Sequence, residues 1–214
     1  MPLADAWLRE AMGTSAARNP NSMTVATVAD DGQPSLRVVL CKQFVPDPGY
    51  LVFYTNYRSR KGRELLAHPR AAATFYWDSL GLQVRVEGIA VASPDGESDA
   101  YFATRTPGSQ LGAWGSDQSE PIASRTALRA QIRERAAALG VELDDAGAAR
   151  PAAAQPRIAR PAHWGGIRIW AAAIELWVEG RDRIHDRAVW TRRIEPRDAH
   201  EFTVFPWSGR RLQP

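Results

Sequence analysis

The sequence predicts an antiparallel β-barrel of α+β character. Three observations lead there: segments in which apolar and polar residues alternate recur along the chain, hairpin signals join neighbouring segments, and helical periodicities are inserted between the strands. With 214 residues and 44% hydrophobic content, the chain can bury a sizeable core, and residues 1–214 read as a single domain.

Taken in order, "DAWLREAM" has apolar residues at helical spacing and is expected to form a short helix in an N-terminal arm, residues 1–20. "MTVATVADDGQPSLRVVLCK" holds two β-rich runs around an Asp-Gly turn, a hairpin signal. "GYLVFYTN" and "AAATFYWD" are further strands on either side of the helical "RKGRELLAH". In "GLQVRVEGIAV", Leu82, Val84 and Val86 face one way and Gln83, Arg85 and Glu87 the other. The apolar phase then slips to Ile89 and Val91, which places a β-bulge at Gly88. Helices are expected in "PDGESDAYFATR", "PGSQLGAWGS" and "SRTALRAQIRERAAALG", where Ser124 can cap the last and Gly140 can end it. The Ala/Pro-rich residues 141–162 read as a flexible loop. "GGIRIWAAAIELWVEG", "DRIHDRAVWTRR" and "HEFTVFPW" return to β patterning, making roughly seven strands in all.

Composition narrows the function classes. The pI near 9.3 would admit nucleic acid, but the net charge is only +3 and the basic residues are scattered, so no nucleic-acid partner is expected. No apolar run is long enough for a membrane span or a signal peptide, and the single Cys41 fits a reducing cytoplasm. No HExxH, CxxC or His/Cys cluster appears, so no metal site is expected, and no Gly-rich phosphate loop is present. His68 and His200 read as solvated and His163 as structural. Of the 27 basic residues only Lys42 and Lys61 are lysine.

Four stretches carry chemistry suited to anions. "YTNYRSRKGREL" sets Ser59, Arg60 and Lys61 where a strand meets a helix, so hydroxyl, guanidinium and ammonium join the free N–H groups of a helix start. The arrangement is either a phosphate site or a capped surface helix with Arg60 and Glu64 paired. "SLRVVLCK" puts Arg37 opposite Leu36, Val38 and Leu40 and delivers Lys42. An arginine in an apolar strand needs a partner, either a ligand or a carboxylate on the next strand. "YFATRTPGSQ" spaces Tyr101, Arg105 and Ser109 along one helical face, or along a helix and the following turn if Pro107 interrupts. In "GRDRIHDR", an extended chain would align Arg181, Arg183, His185 and Arg187 on one side, as a solvated edge or as a row facing an anion.

In this order, the motifs resemble the pyridoxamine 5′-phosphate oxidase family, flavin enzymes of vitamin B6 metabolism. The resemblance runs from about Met23 to Pro214, through "SMTVATVADDGQPSLRVVLCK", "VFYTNYRSRKGREL", "QVRVEG", "ESDAYFATRTPGSQLGAWGSDQSEPI", "HWGGIRI", "IELWVEGRDRIHDR" and "RRLQP". It implies a split β-barrel with peripheral helices, acting as a homodimer with FMN at the subunit interface. Carried over position by position, it implies that Arg37, Val38, Val39, Leu40, Tyr54, Thr55, Ser59, Arg60, Lys61, Gln83, Gln118, Ser119, Trp177 and Arg187 hold FMN. Lys42, Tyr101, Arg105 and Ser109 would hold the substrate phosphate, and Arg183 and His185 the pyridine ring, as the catalytic residues, serving substrate positioning and proton management and not covalent catalysis. The implied reaction oxidises pyridoxamine or pyridoxine 5′-phosphate to pyridoxal 5′-phosphate. Dioxygen is the acceptor, and the products include hydrogen peroxide and, from the amine, ammonia.

Departures from the family pattern are a short N-terminal arm, which would leave the substrate wetter, a cysteine at position 41 where an aliphatic residue is usual, and a long 141–162 segment. Two rivals remain at this level: a same-fold flavin oxidase of phenazine-biosynthesis type, and a non-catalytic protein that binds FMN or pyridoxal phosphate. Retention of Lys42, Tyr101, Arg105 and Ser109 argues for a phosphorylated substrate.

Overall fold

The Asp-Gly hairpin forms where the sequence places it. Strand β1 (Ser22–Val28) and strand β2 (Pro34–Leu40) pair antiparallel from Ser22↔Leu40 to Val28↔Pro34. Gly32 supplies the left-handed residue of the turn at φ +83°, and the Asp31 carboxylate accepts from the Gln33 N–H at 2.9 Å. The computed structural model describes residues 1–14, 18–145, 147–150 and 158–214. These divide into two compact units: Met1–Tyr54 with Glu64–Ser93 and Ile167–Pro214, and Thr55–Arg63 with Pro94–Gly166.

The first unit is built on a mostly antiparallel sheet. Its further elements, of which β4, α2 and β7 have residues in the second unit as well, are helix α1 (Pro2–Gly13), strands β3 (Gln43–Val45) and β4 (Tyr50–Asn56), helix α2 (Arg60–Ala67), and strands β5 (Arg70–Trp77), β6 (Leu82–Ala92), β7 (Trp164–Val178), β8 (Asp186–Thr191), β9 (Ile194–Pro196), β10 (Phe202–Val204) and β11 (Ser208–Leu212). The main path runs β11-β8-β7-β6-β5-β1-β2, with β4 pairing β3 and β7 off that path and β9-β10 forming a separate ribbon. Short β3, β9 and β11 have too few residues for a readable period, and the sequence pattern does not reveal them. Met23, Val25, Leu51, Phe53, Phe75, Val84, Val86, Ile167 and Ile169 are buried to 1% exposure or less. Each large side chain among them contributes about 1.5–3 kcal/mol through apolar burial.

The bulge expected at Gly88 is present as a register shift, but the extra residue is on the partner strand. Glu87 pairs with Ala173 and Gly88 with Ala171, so Ala172 of β7 is the residue without a cross-strand partner, while β6 stays in phase with β5 throughout. The buried face of β6 therefore continues through Ala90, not through Ile89 and Val91. Gly88 is required by proximity: a Cβ there would lie 1.9 Å from the Trp170 carbonyl oxygen.

The second unit carries helices α3 (Asp95–Ala103), α4 (Pro107–Gly115) and α5 (Arg125–Ala138). Ser124 caps α5 by accepting from the Ala127 N–H at 3.0 Å, and Gly140 follows its end at φ +68°. Thr106 caps α4 by accepting from the Ser109 N–H. Of the loop expected at 141–162, residues 151–157 and Ala146 lie outside the described residues; within the rest, Leu143 and Ala149 form an isolated bridge. Among the described residues, no helix is long and apolar enough to cross a membrane.

Candidate functional site

In the second unit, the end of β4 turns into α2 around Asn56 and Ser59. The Asn56 side chain accepts from the Arg58 N–H at 2.8 Å. Ser59 donates to the Asn56 carbonyl at 2.6 Å and, fully buried, receives the Gly62 N–H. A Cβ on Gly62 would lie 2.3 Å from the Tyr57 carbonyl, so only glycine permits this tight entry. The turn gathers Lys61 Nζ onto Thr55 Oγ1 (3.1 Å), Ser59 Oγ (3.3 Å) and Gln118 Oε1 (3.1 Å). Ser119 Oγ accepts from the Arg60 N–H at 3.1 Å, with Ser119 itself left-handed at φ +78°. Six expected site residues (Thr55, Ser59, Arg60, Lys61, Gln118 and Ser119) thus converge on the start of one helix. An ammonium among hydroxyls at the positive end of a helix suits a phosphate.

The second group in this unit follows the interrupted alternative for "YFATRTPGSQ". Helix α3 ends at Ala103 and α4 begins at Pro107, so Tyr101, Arg105 and Ser109 lie on a helix, a link and the next helix's first turn. Trp164 organises them, although its sequence context gave only a loop leading into a strand. The Arg105 guanidinium carbon lies 4.5 Å from the Trp164 ring centroid, and the Tyr101 ring is parallel to that indole within 8° at 6.3 Å. Arg105 Nη1 is buried and makes no hydrogen bond to the described residues, and burial lowers the guanidinium pKa from its ordinary value. A guanidinium with an enclosed donor that the described residues leave unmet has the chemistry to receive an anion. Thr106 Oγ1 donates to Ser109 Oγ at 3.0 Å.

In the first unit, cross-strand register brings three expected residues together. Gln83 on β6 pairs with Trp177 on β7, and Trp177 pairs with Arg187 on β8, so all three share one face of the sheet. Glu175, two residues before Trp177 on that face, holds Arg187 at 2.8–2.9 Å and Arg85 at 2.9 Å, and Arg187 Nη1 also donates to the Gln213 carbonyl. Glu175 is only 8% exposed, and its sequence setting, a lone acid in an apolar run, is the signal that could have marked it as the partner of these cations.

"GRDRIHDR" is not extended as a whole. Residues 181–183 form a 3-10 turn, with Asp182 and Arg183 left-handed at φ +55° and +64°, and β8 begins only at Asp186. The expected one-sided row is therefore broken: two left-handed residues reset the direction of the chain between Arg181 and His185. His185 instead returns to the main chain, its Nδ1 3.1 Å from the Gly180 nitrogen and its ring centroid 4.5 Å from that of Trp177. Arg181 and Arg183 are exposed.

Strand β2 also turns out differently in detail. Arg37 lies opposite Leu36 and Val38 as expected, but the arginine is on the covered side and the two aliphatic residues are the exposed ones, at 71% and 66%. The Arg37 guanidinium donates to Thr27 Oγ1 and Ser35 Oγ, both at 2.6 Å, and lies 3.4 Å from Glu64. Its carboxylate thus comes from α2, not from the next strand, and Glu64 also accepts from Ser35 at 2.8 Å and from Thr27. Val39 and Leu40 are half-buried, Tyr54 is half-buried with its hydroxyl enclosed, and Lys42 is exposed. His68 is exposed and meets Asp30 at 2.9 Å. His200 is not simply solvated, since Nδ1 lies 2.8 Å from the Ala92 carbonyl; His163 holds the Ala113 carbonyl at 3.2 Å, a structural use.

A family model described as pyridoxamine 5′-phosphate oxidase matches residues 14–137, and one described as the pyridoxine 5′-phosphate oxidase C-terminal dimerisation region matches residues 164–214. A protein of Myxococcus xanthus (strain DK1622) named pyridoxine/pyridoxamine 5′-phosphate oxidase is 51% identical over 174 residues, 81% of this chain and 77% of the relative. A protein of the same name from Burkholderia lata is 44% identical over 210 residues, 98% of this chain and 86% of the relative. Among solved structures, PhzG from Burkholderia lata 383, in complex with tetrahydrophenazine-1-carboxylic acid, has a TM-score of 0.77 at 30% identity and covers 100% of this chain and 91% of its own. A pyridoxamine 5′-phosphate oxidase-related, FMN binding protein of Nostoc punctiforme PCC 73102 shares the fold, with a TM-score of 0.67 at 18% identity and coverage of 100% and 96%. The split-barrel fold class expected from the sequence is that of these neighbours.

Proposed function

The chain belongs to the pyridoxine/pyridoxamine 5′-phosphate oxidase family, and from that premise we propose that it oxidises pyridoxamine and pyridoxine 5′-phosphate to pyridoxal 5′-phosphate, passing the electrons to dioxygen. FMN is its cofactor, and the residues present fit that group. The Lys61 ammonium with the Ser59 and Thr55 hydroxyls at the start of α2 suits a phosphate, and the Gln83, Trp177 and Arg187 row offers hydrogen-bonding and aromatic edges suited to a flavin ring. When bound, FMN supplies the acceptor for a hydride and the route to dioxygen, with hydrogen peroxide as product.

The protein's own share is binding, orientation and charge. Lys61 and the Arg60 region hold the cofactor phosphate. Arg187, fixed by Glu175, keeps a cation beside Trp177. Lys42, Tyr101, Arg105 and Ser109 hold the substrate phosphate, and Arg183 and His185 orient the pyridine ring. With the amine, hydrolysis releases ammonia. The molecule acts as a homodimer, a reading supported by the match of residues 164–214 to a dimerisation region.

The observation that carries this reading is Arg105, stacked on Trp164 with a buried donor that the described residues leave unmet. The likeness to PhzG with its tricyclic carboxylic acid favours a second reading, a same-fold oxidase of a phenazine-type acid. Relatives at 44–51% identity bear the B6 name, which supports the first. The test is to purify the flavin-loaded protein, add pyridoxine 5′-phosphate in air, and follow pyridoxal 5′-phosphate and peroxide. A flavin-loaded protein that forms neither sinks the proposal, and turnover of tetrahydrophenazine-1-carboxylic acid in its place would establish the second reading.

A further inference from the structure

We infer that the Gly180–His185 turn fixes the His185 imidazole as its Nε2–H tautomer, so that it meets the substrate as a hydrogen-bond donor and not as a base. The functional half of this inference rests on the reading of His185 as a substrate residue; the tautomer itself rests on geometry alone.

The Gly180 nitrogen lies 3.1 Å from His185 Nδ1. A backbone N–H can only donate, so Nδ1 must present its lone pair, and the single proton of the neutral ring is then on Nε2. The contact is built into the turn. A Cβ on residue 180 would lie 1.8 Å from the Ile184 carbonyl oxygen, so the approach that brings this amide to the ring depends on glycine. The Ile184 N–H closes on the Arg181 carbonyl at 2.9 Å, and left-handed Asp182 and Arg183 complete the reversal. Trp177 supports the ring from one side, at 4.5 Å between centroids and 39° between planes. Among the described residues, Nε2 has no hydrogen-bond partner, so it is the edge left for a ligand.

The chemical consequence is specific. A neutral ring in this state has no lone pair at Nε2 and cannot take a substrate proton there. Its basic nitrogen is Nδ1, and protonating that atom would replace the Gly180 bond with an N–H facing an N–H. His185 therefore gives a hydrogen bond to an oxygen or nitrogen acceptor of the substrate, and removal of the substrate's proton falls to another group or to water.

The test uses the full-length, FMN-loaded protein labelled with 15N at histidine. The chain has four histidines, and the His185 resonances are those lost in His185→Gln. At a pH where the ring is neutral, the expected pattern is a pyridine-type Nδ1 and a pyrrole-type Nε2. The reverse pattern, or the averaged shifts of a ring exchanging between tautomers, overturns the inference. Kinetics give a second arm. A Gln side chain places an N–H near the Nε2 position and an Asn side chain near Nδ1, so kcat/KM for pyridoxine 5′-phosphate is expected to fall less in His185→Gln than in His185→Asn, by about tenfold, with FMN content equal in both. The opposite ranking overturns the donor role. A protein that turns over no pyridoxine 5′-phosphate removes the oxidase reading, while the 15N pattern still decides the tautomer.

Discussion

Arg105 shows what one side chain can reveal. Its guanidinium is held by an indole face, and the described residues leave one of its donors unmet. Arg105→Lys keeps the charge but loses the planar fork and its stacking. The expected result is a fall in kcat/KM for pyridoxine 5′-phosphate of about 10–100-fold, from loss of one charge-assisted hydrogen bond, with FMN content unchanged; steady-state kinetics and the flavin absorbance check it. Cys41 makes a different prediction. Burial pushes its thiol up to about 12, so at pH 8 it should be inert to maleimide in the folded protein and react once urea unfolds the chain. Because the folded pKa is the raised one, its contribution to stability is intact below the ordinary thiol value and is lost as pH rises from there towards 12. At this scale the sequence identified the cations but not their keepers. Trp164, Glu175 and Glu64 lie 59, 12 and 27 residues from Arg105, Arg187 and Arg37, and no local period links residues so far apart.

Helices and long strands were legible because each carries its own period over enough residues. The hairpin, α5 with its Ser124 cap, and the β4–α2 junction all fall where patterning and cap chemistry put them. What was not legible depends on partners. The left-handed pair Asp182 and Arg183 has no glycine to announce it, so "GRDRIHDR" reads as a strand until its turn is seen. Arg37 reads as an outlier on an apolar strand until α2 supplies Glu64. The element-scale prediction concerns that pairing. Glu64→Ala removes the carboxylate shared by Thr27, Ser35 and Arg37 and leaves a largely covered guanidinium, for an expected loss of about 3 kcal/mol in urea unfolding. A loss under about 1 kcal/mol would show that the cluster is dispensable.

For the whole molecule, the exposed aliphatic side of β2 is the feature that needs an explanation. β2 is the last strand on its edge of the sheet, and Leu36 and Val38 point outwards from it. A second copy of the chain is the proposed cover. Sedimentation should find a dimer, and Leu36→Asp should weaken it at least tenfold, since it places a carboxylate where apolar area is buried. A Leu36→Asp protein that remains as fully dimeric as the parent would place the interface elsewhere. Such a surface cannot be read from one chain's alternation, because the pattern records which side chains are apolar and not whose atoms cover them.

The unpaired Ala172 has a consequence for how this chain can change. On one side of it, odd-numbered Ile167, Ile169 and Ala171 share the core face; on the other, even-numbered Ile174 and Leu176 do. Ala172 is a parity switch in the middle of β7. Substituting it alters one side chain, but deleting it would turn one half of the strand over, either exposing the isoleucines or driving Glu175 and Trp177 into the core. At this position, the length of the chain is under tighter constraint than its spelling.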